Sequence, residues 1–203
     1  MTSTTKARHR KMTADSTGRA EGNERLTAMT GAVLLVLLGA EGITIAEIHQ
    51  LLTVHFFIGM LLIGPVLLKM GSTGYRFIRY YTGSPEYVRK GPPALLLRLL
   101  GPVVMLTSIS VVGSGVALAL AGPGPSLWLF VHKASFVLWF AAMTVHVIWY
   151  APRLPRLLSA RAHRLHVVLA GAGKRWLLLV TALAVGLVIA TATAHLAASW
   201  GAS

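Results

Sequence analysis

Residues 127–150, LWLFVHKASFVLWFAAMTVHVIWY, are the stretch that decides the fold. This stretch is long and apolar enough to cross a bilayer as one helix, yet it contains two histidines, His132 and His146. Their spacing of fourteen residues corresponds to roughly 21 Å along a helix axis, with the two rings about 40° apart on one face. An imidazole inside a membrane needs a partner. A haem iron that the ring ligates axially is one such partner, and a hydrogen-bonding group on a neighbouring helix is another.

The composition around this stretch is that of a membrane protein. Of the 203 residues, 55% are hydrophobic and only 12% are charged, which is too apolar for an ordinary soluble domain. Apolar segments occur at residues 26–45, 51–70, 95–120, 127–150 and 176–200, each near the length that spans a bilayer. We therefore predict an all-α, polytopic membrane helical bundle of five transmembrane helices. It forms a single domain over residues 26–203, preceded by a polar, basic tail at residues 1–25 that we predict to be disordered.

Several classes of protein are excluded by what the sequence lacks. The chain has no cysteine, so disulfides, thiolate metal sites, iron–sulfur clusters and cysteine nucleophiles are ruled out. The glycine-rich nucleotide-binding patterns and the zinc-protease and serine-hydrolase motifs are also absent. The sequence therefore offers nothing on which a soluble hydrolase, kinase or nucleotide-binding function would rest.

The positive charge is distributed as membrane topology requires. The net charge is +13, and the 19 lysines and arginines fall in three groups, at residues 6–25, 69–98 and 153–175, except for Lys133. With five spans, these three groups lie on the same side of the membrane, and Lys133 alone lies on the other. The positive-inside rule then predicts an N-terminus inside and a C-terminus outside. The charge sets topology, and we expect no nucleic-acid partner.

The second apolar segment matches the fourth. His55 lies near the outer end of the second segment, at the depth that His132 reaches in the fourth, because both segments run inward from the outer side. Lys69 follows His55 by fourteen residues and lies at the depth of His146. Gly59 lies one helical turn after His55 on the same face, where it would let a flat macrocycle approach the backbone. Close packing between helices is the alternative role for this glycine.

The remaining polar residues have weaker assignments. Glu41 lies toward the outer end of the first segment, where pairing with a histidine, snorkelling to water and proton movement are all open. His49 falls in the following turn, and His195 lies near the outer end of the last segment as a spare candidate ligand. Residues 151–175 are typical of a basic amphipathic helix on the membrane surface, and we assign His163 and His166 to its solvated face.

With His55, His132 and His146 placed on two parallel helices, the chain resembles the membrane domains of b-type cytochromes. This group includes cytochrome b561-like proteins and ferric-reductase-like or respiratory cytochrome b subunits, and the resemblance covers roughly residues 49–150. It implies a helical bundle in which histidines of two helices hold haem b from opposite faces. In the di-haem members the histidines on one helix are thirteen or fourteen residues apart. The resemblance also implies that Lys133, next to His132, neutralises a haem propionate, while an interfacial anchor is the other role for this lysine.

The sequence departs from the di-haem pattern at Lys69, which stands where a fourth histidine is expected. Lysine ligates iron only when deprotonated, and an inner interface favours its charged form. The outcomes, in order of preference, are one haem at His55 and His132, a second haem of unusual ligation that includes His146 and Lys69, and no haem.

The function predicted from the resemblance is electron transfer through haem b in the cytoplasmic membrane of a prokaryote. The donor would be a membrane reductant such as a quinol, and the acceptor a redox partner protein at the outer face. A cofactor-free membrane protein is the alternative from another class. In that case Glu41, His55, Lys69, His132 and His146 form a polar pathway or join the helices, as in an assembly subunit or a small transporter.

Overall fold

The structure, a computed structural model, describes residues 3–91, 95–124, 126–153 and 172–201, without the side chains of residues 3–19, 153 and 201. The described chain is helical apart from short turns and contains no strand. Its helices are α1 (Ser3–Ala46), α2 (Ile48–Tyr81), α3 (Pro85–Val88), α4 (Leu95–Ala121), α5 (Leu127–Tyr150) with a 3₁₀ turn at Ala151–Arg153, and α6 (Ala172–Gly201).

Five of these helices are long and apolar enough to cross a membrane. The spans are Ala20–Ala46, Ile48–Tyr81, Leu95–Ala121, Leu127–Tyr150 and Ala172–Trp200. They confirm the prediction of an all-α protein with five helices of membrane-spanning character. Large apolar side chains such as Leu106, Phe130, Phe140 and Val188 are exposed on the outside of these helices. Lipid accepts such a surface, whereas water would drive it to aggregate.

Two further predictions concern the N-terminal tail and the segment between α5 and α6. Helix α1 includes most of the predicted tail. Asn23 donates a hydrogen bond to the Ser72 carbonyl oxygen, and Glu24 accepts one from Lys90. The contacts of α1 with the rest of the chain therefore begin before residue 26, the predicted start of the first span. The predicted surface helix between α5 and α6 falls largely on residues 154–171. It therefore lies outside the described residues, together with His163 and His166.

Helix α2 is the centre of the bundle because it packs against both α1 and α6. Its contact with α6 is very close: a Cβ at Gly64 would overlap the carbonyl oxygen of Ala182, and one at Gly186 would overlap that of Leu61. Small residues let two membrane helices approach to this degree. Pro65 is fully buried beside Gly64. These contacts fix the position of the helix that carries His55 and Lys69.

Helices α4 and α5 form an antiparallel hairpin beside that central group. The chain reverses through Gly122 and Gly124, whose φ angles of 79° and 131° are conformations that glycine tolerates and other residues rarely adopt. Ser126 then caps α5, since its Oγ accepts a hydrogen bond from the backbone N–H of Leu129 at 3.2 Å. Within the described residues, the backbones of α2 and α5 hardly come within 8 Å of each other. The two histidine-bearing helices therefore contact each other through side chains, as the rings of His55 and His132 do.

Candidate functional site

His55 is held against the first helix by its Nδ1 atom. This atom lies 3.0 Å from Oε1 of Glu41 and 2.9 Å from Oγ1 of Thr44. The Thr44 hydroxyl donates in turn to the Glu41 carbonyl oxygen at 2.6 Å, so it accepts from the ring. A carboxylate and a hydroxyl that both accept require a proton on Nδ1. In the neutral imidazole, Nε2 then keeps its lone pair and is the atom free to bind a metal.

His132 is held in the same way by the neighbouring helix α4. Its Nδ1 lies 3.1 Å from the carbonyl oxygen of Val111 and 3.2 Å from Oγ of Ser114. Because a carbonyl oxygen only accepts, the ring donates through Nδ1 and Nε2 is again left as the ligating atom. Gly115 provides the space for the ring, since a Cβ there would lie 3.1 Å from His132 Cε1.

The rings of His55 on α2 and His132 on α5 are in contact. Their centroids are 6.4 Å apart and their planes make an angle of 73°. An imidazole nitrogen lies about 2.0–2.1 Å from a metal that it binds, so two imidazoles on opposite sides of one metal have ring centres about 6–6.5 Å apart. The observed separation therefore fits bis-histidine ligation of one haem iron. It also falls within the range of an ordinary edge-to-face ring pair.

The donor set fits a haem in a second respect. Metal-bound histidines usually donate their other ring N–H to a carboxylate or a backbone carbonyl, and this bond fixes the tautomer and orients the ring. His55 has the carboxylate and His132 has the carbonyl. Among the described residues, no three His, Cys, Asp or Glu side chains are grouped as a site made only of protein ligands would need. Axial ligation of haem needs only these two histidines.

The other residues around this pair are placed as follows. Gly59 faces Glu41, because a Cβ there would lie 3.4 Å from Oε1 of that carboxylate. Gly59 therefore makes room for the residue that holds His55. Lys133 is exposed, as are His49 and His195.

Lys69 and His146 form the inner pair. The Lys69 Nζ atom donates to the backbone carbonyl oxygen of Thr27 at 2.6 Å. It occupies a recess at Gly31, where a Cβ would lie 2.8 Å from Nζ. The His146 ring packs against Tyr150 with centroids 4.8 Å apart. The structure thus brings the outer pair into contact, whereas it directs the lysine of the inner pair toward α1.

Sequence reasoning missed three of the groups that organise the outer site. Thr44 lies one turn after Glu41, and that spacing was a usable signal because i and i+3 share a helix face. Ser114 belongs to a weakly polar stretch of α4, with Thr107, Ser108 and Ser110, and such a surface suits packing against either a neighbouring helix or a cofactor. The Val111 carbonyl had no signal at all, since any residue supplies the same backbone oxygen.

Comparisons with known protein families, with characterised proteins and with solved structures find no match for this chain. The assignment of function therefore rests on the geometry of the two histidine-bearing helices and their partners.

Proposed function

We propose that this chain is a multi-pass protein of a prokaryotic cytoplasmic membrane that binds one haem b between α2 and α5, with His55 and His132 as axial ligands. One observation carries the proposal. Two imidazoles from facing helices lie with centroids 6.4 Å apart, and each Nδ1 is engaged by an acceptor on an adjacent helix. With the proton on Nδ1 of each ring, the Nε2 atoms are the nitrogens that would ligate one iron.

The protein's contribution to electron transfer follows from these contacts. A bound haem supplies the one-electron redox chemistry. Glu41 and Thr44 hold the His55 ring, and the Val111 carbonyl and Ser114 hold the His132 ring. A low dielectric and fixed ligands restrict the rearrangement that accompanies a change of charge at the iron. Lys133, next to His132, is the cation suited to a propionate at the outer surface.

The direction of transfer is part of the same proposal. The cation distribution supports an N-terminus inside and a C-terminus outside, which places the His55–His132 pair in the outer leaflet. Electrons would pass from a membrane donor, a quinol, through this haem to a redox partner protein at the outer face. Lys69 bonds to a carbonyl of α1 and not to the inner histidine, and this contact favours a single haem.

The test is the absorption spectrum of the purified chain in detergent after expression with ample haem. We expect a reducible Soret spectrum of a low-spin b-type haem. The spectrum should be lost, or shifted to high spin, in His55→Ala and in His132→Ala. The exposed residues His49 and His195 provide matched controls, and alanine at either should leave the spectrum unchanged. Colour that survives both outer substitutions but not His146→Ala would place the haem in the other leaflet.

A second candidate function is favoured by the same hydrogen bonds. Glu41 and Thr44 join α1 to α2 through His55, and Val111 and Ser114 join α4 to α5 through His132. In a cofactor-free membrane protein these bonds would hold the helices together or form a polar pathway. This second function is supported if the protein purifies colourless although it inserts correctly and haem was supplied in excess during expression.

A further inference from the structure

Arg98 is an exposed cation in the first turn of α4, at the end of the bundle that the cation distribution assigns to the inner leaflet. Its Nη2 atom donates to the hydroxyl oxygen of Tyr81 at 3.0 Å. This bond connects the last residue of α2 to the start of α4. Within the described part of the chain it is the hydrogen bond that the guanidinium makes, and a guanidinium carries five N–H donors. The remaining donors and the proton of the Tyr81 hydroxyl are available to one external acceptor.

Aromatic rings fix the position of this hydroxyl. The ring of Phe77 lies one turn before Tyr81, with centroids 4.5 Å apart, and the ring of Tyr80 meets that of Tyr81 edge-on at 5.2 Å. Contacts of this kind hold an aromatic side chain in one orientation. Because Arg98 bonds to the hydroxyl, its guanidinium is oriented by the same rings. The donors are therefore presented together, unlike those of a freely moving surface cation.

No carboxylate of the described residues forms a salt bridge with Arg98. At this end of the bundle Glu86 pairs with Arg79 at 3.5 Å, and Glu24 pairs with Lys90 at 2.6 Å. All lysines and arginines of the sequence except one fall in the three groups assigned to this side. Such an excess of positive charge attracts anions at a membrane surface. A guanidinium binds phosphate through two parallel N–H bonds, so a phosphate group complements Arg98 in both charge and shape.

The surface beside Arg98 is apolar. Leu95 and Leu99 share its side of α4 and are 71% and 66% exposed. On α2, Phe77 and Ile78 are exposed as well. The leucines begin a helix of membrane-spanning character, and acyl chains are the surroundings that suit such side chains. A soluble anion would leave this surface uncovered, whereas an amphiphile with an anionic head would occupy both parts.

We propose that Arg98 and Tyr81 bind the phosphodiester head group of an anionic phospholipid, whose acyl chains cover Leu95, Leu99 and Phe77. The guanidinium donates to two phosphate oxygens, and the Tyr81 hydroxyl donates its proton to the same group. The lipid thus contacts the end of α2 and the start of α4 together. The site lies apart from the histidines and does not depend on the proposed haem.

The experiment is native mass spectrometry of the full chain in detergent, with phosphatidylglycerol and phosphatidylcholine of the same acyl chains. We expect the wild type to retain phosphatidylglycerol in preference to phosphatidylcholine. Arg98→Gln should weaken binding of phosphatidylglycerol about tenfold, because it removes the charge-assisted bonds. Arg98→Lys keeps the charge but not the paired donors, so its loss should be intermediate, as should that of Tyr81→Phe. The matched controls are Arg89→Gln, at an exposed arginine whose Nε bonds to the Pro85 carbonyl oxygen, and Lys133→Gln at the other end of the bundle.

Three results would overturn the proposal. One is equal retention of the two lipids by the wild type. Another is a loss in Arg89→Gln as large as that in Arg98→Gln, or wild-type binding in Arg98→Lys, because net charge alone would then explain the preference. The third is displacement of phosphatidylglycerol by an equal concentration of inorganic phosphate, which would assign the donors to a soluble anion. Circular dichroism checks that each variant is folded, and if Arg98→Gln is not, the comparison of Arg98→Lys and Tyr81→Phe with the wild type decides.

Discussion

The hydrogen bond from His55 to Glu41 should set the reduction potential of the proposed haem. The His55 Nδ1 lies 3.0 Å from the carboxylate and 2.9 Å from the Thr44 hydroxyl. Donation to these acceptors increases electron density on the ring, and this favours ferric over ferrous iron. We expect Glu41→Leu to weaken the His55–iron bond mainly in the ferric state and so to raise the midpoint potential.

The size of the shift in midpoint potential can be derived from what residues that hydrogen-bond to a metal ligand contribute to metal affinity. Loss of a residue that orients a metal ligand typically costs 10–100-fold in metal affinity. If that cost falls entirely on the ferric state, a one-electron couple moves by about 60–120 mV in the positive direction, at 59 mV for each factor of ten. Glu41→Gln keeps an acceptor oxygen in the same place, so its shift should be smaller and in the same direction.

The measurement is a spectroelectrochemical titration of the purified protein, with Glu47→Leu as the matched control because Glu47 is an exposed carboxylate in the turn before α2. Thr44→Val should shift the potential in the same direction as Glu41→Leu, by less. Two results would contradict this role of Glu41: a Glu41→Leu variant that retains its haem and titrates at the wild-type potential, or a control whose potential moves as far as that of the variant. Either result would mean that the carboxylate only joins α1 to α2.

Three further predictions concern topology, stoichiometry and packing. A reporter fused after Ser203 should be active only if its activity requires the outer compartment, and activity of a cytoplasmic reporter there would contradict the five-span topology. A haemochrome assay should give about one haem per chain, and Lys69→His should allow a second; two haems in the unaltered protein would contradict the assignment of the inner pair. In reversible detergent unfolding, Gly186→Ala should lower the stability by about 1–3 kcal/mol, since its Cβ overlaps the Leu61 carbonyl oxygen. Gly113→Ala, with nothing within 4 Å, should leave the stability unchanged or raise it, and equal stability of the two variants would show that α2 and α6 are not in this contact.

Much of the fold could be predicted from the sequence because hydrophobic length is a strong signal. Twenty or so apolar residues have few stable alternatives to a spanning helix. The pairing of His55 with His132 was also accessible, since parallel spans allow depths to be compared residue by residue. The structure places these rings 6.4 Å apart. The prediction needed only the number of residues from the outer end of each span.

The contacts that orient the histidines were less accessible for physical reasons. Depth fixes position along a helix but not its rotation, so the sequence left Glu41 with three roles where the structure gives it His55 as a partner. The close approach at Gly64 and Gly186 also depends on rotation, and glycine is too frequent in membrane helices to identify an interface by itself. Lys69 illustrates the same point: its depth matched His146, yet its ammonium turned toward the Thr27 carbonyl.

The division of the bundle into two groups of helices explains why the candidate sites lie where they do. Helix α2 is locked to α6 and bonded to α1, while α5 is joined to α4, and α2 and α5 barely approach each other. In each group the Nδ1 atom of the outer histidine bonds to a helix of the same group. His55 bonds to Glu41 of α1, and His132 bonds to the Val111 carbonyl oxygen of α4. The hydrogen bonds of the histidines therefore stabilise each group without joining the two. The two groups are joined by the buried cluster of Met60, Ala119 and Ala190. The contact between the rings of His55 and His132 adds to this packing.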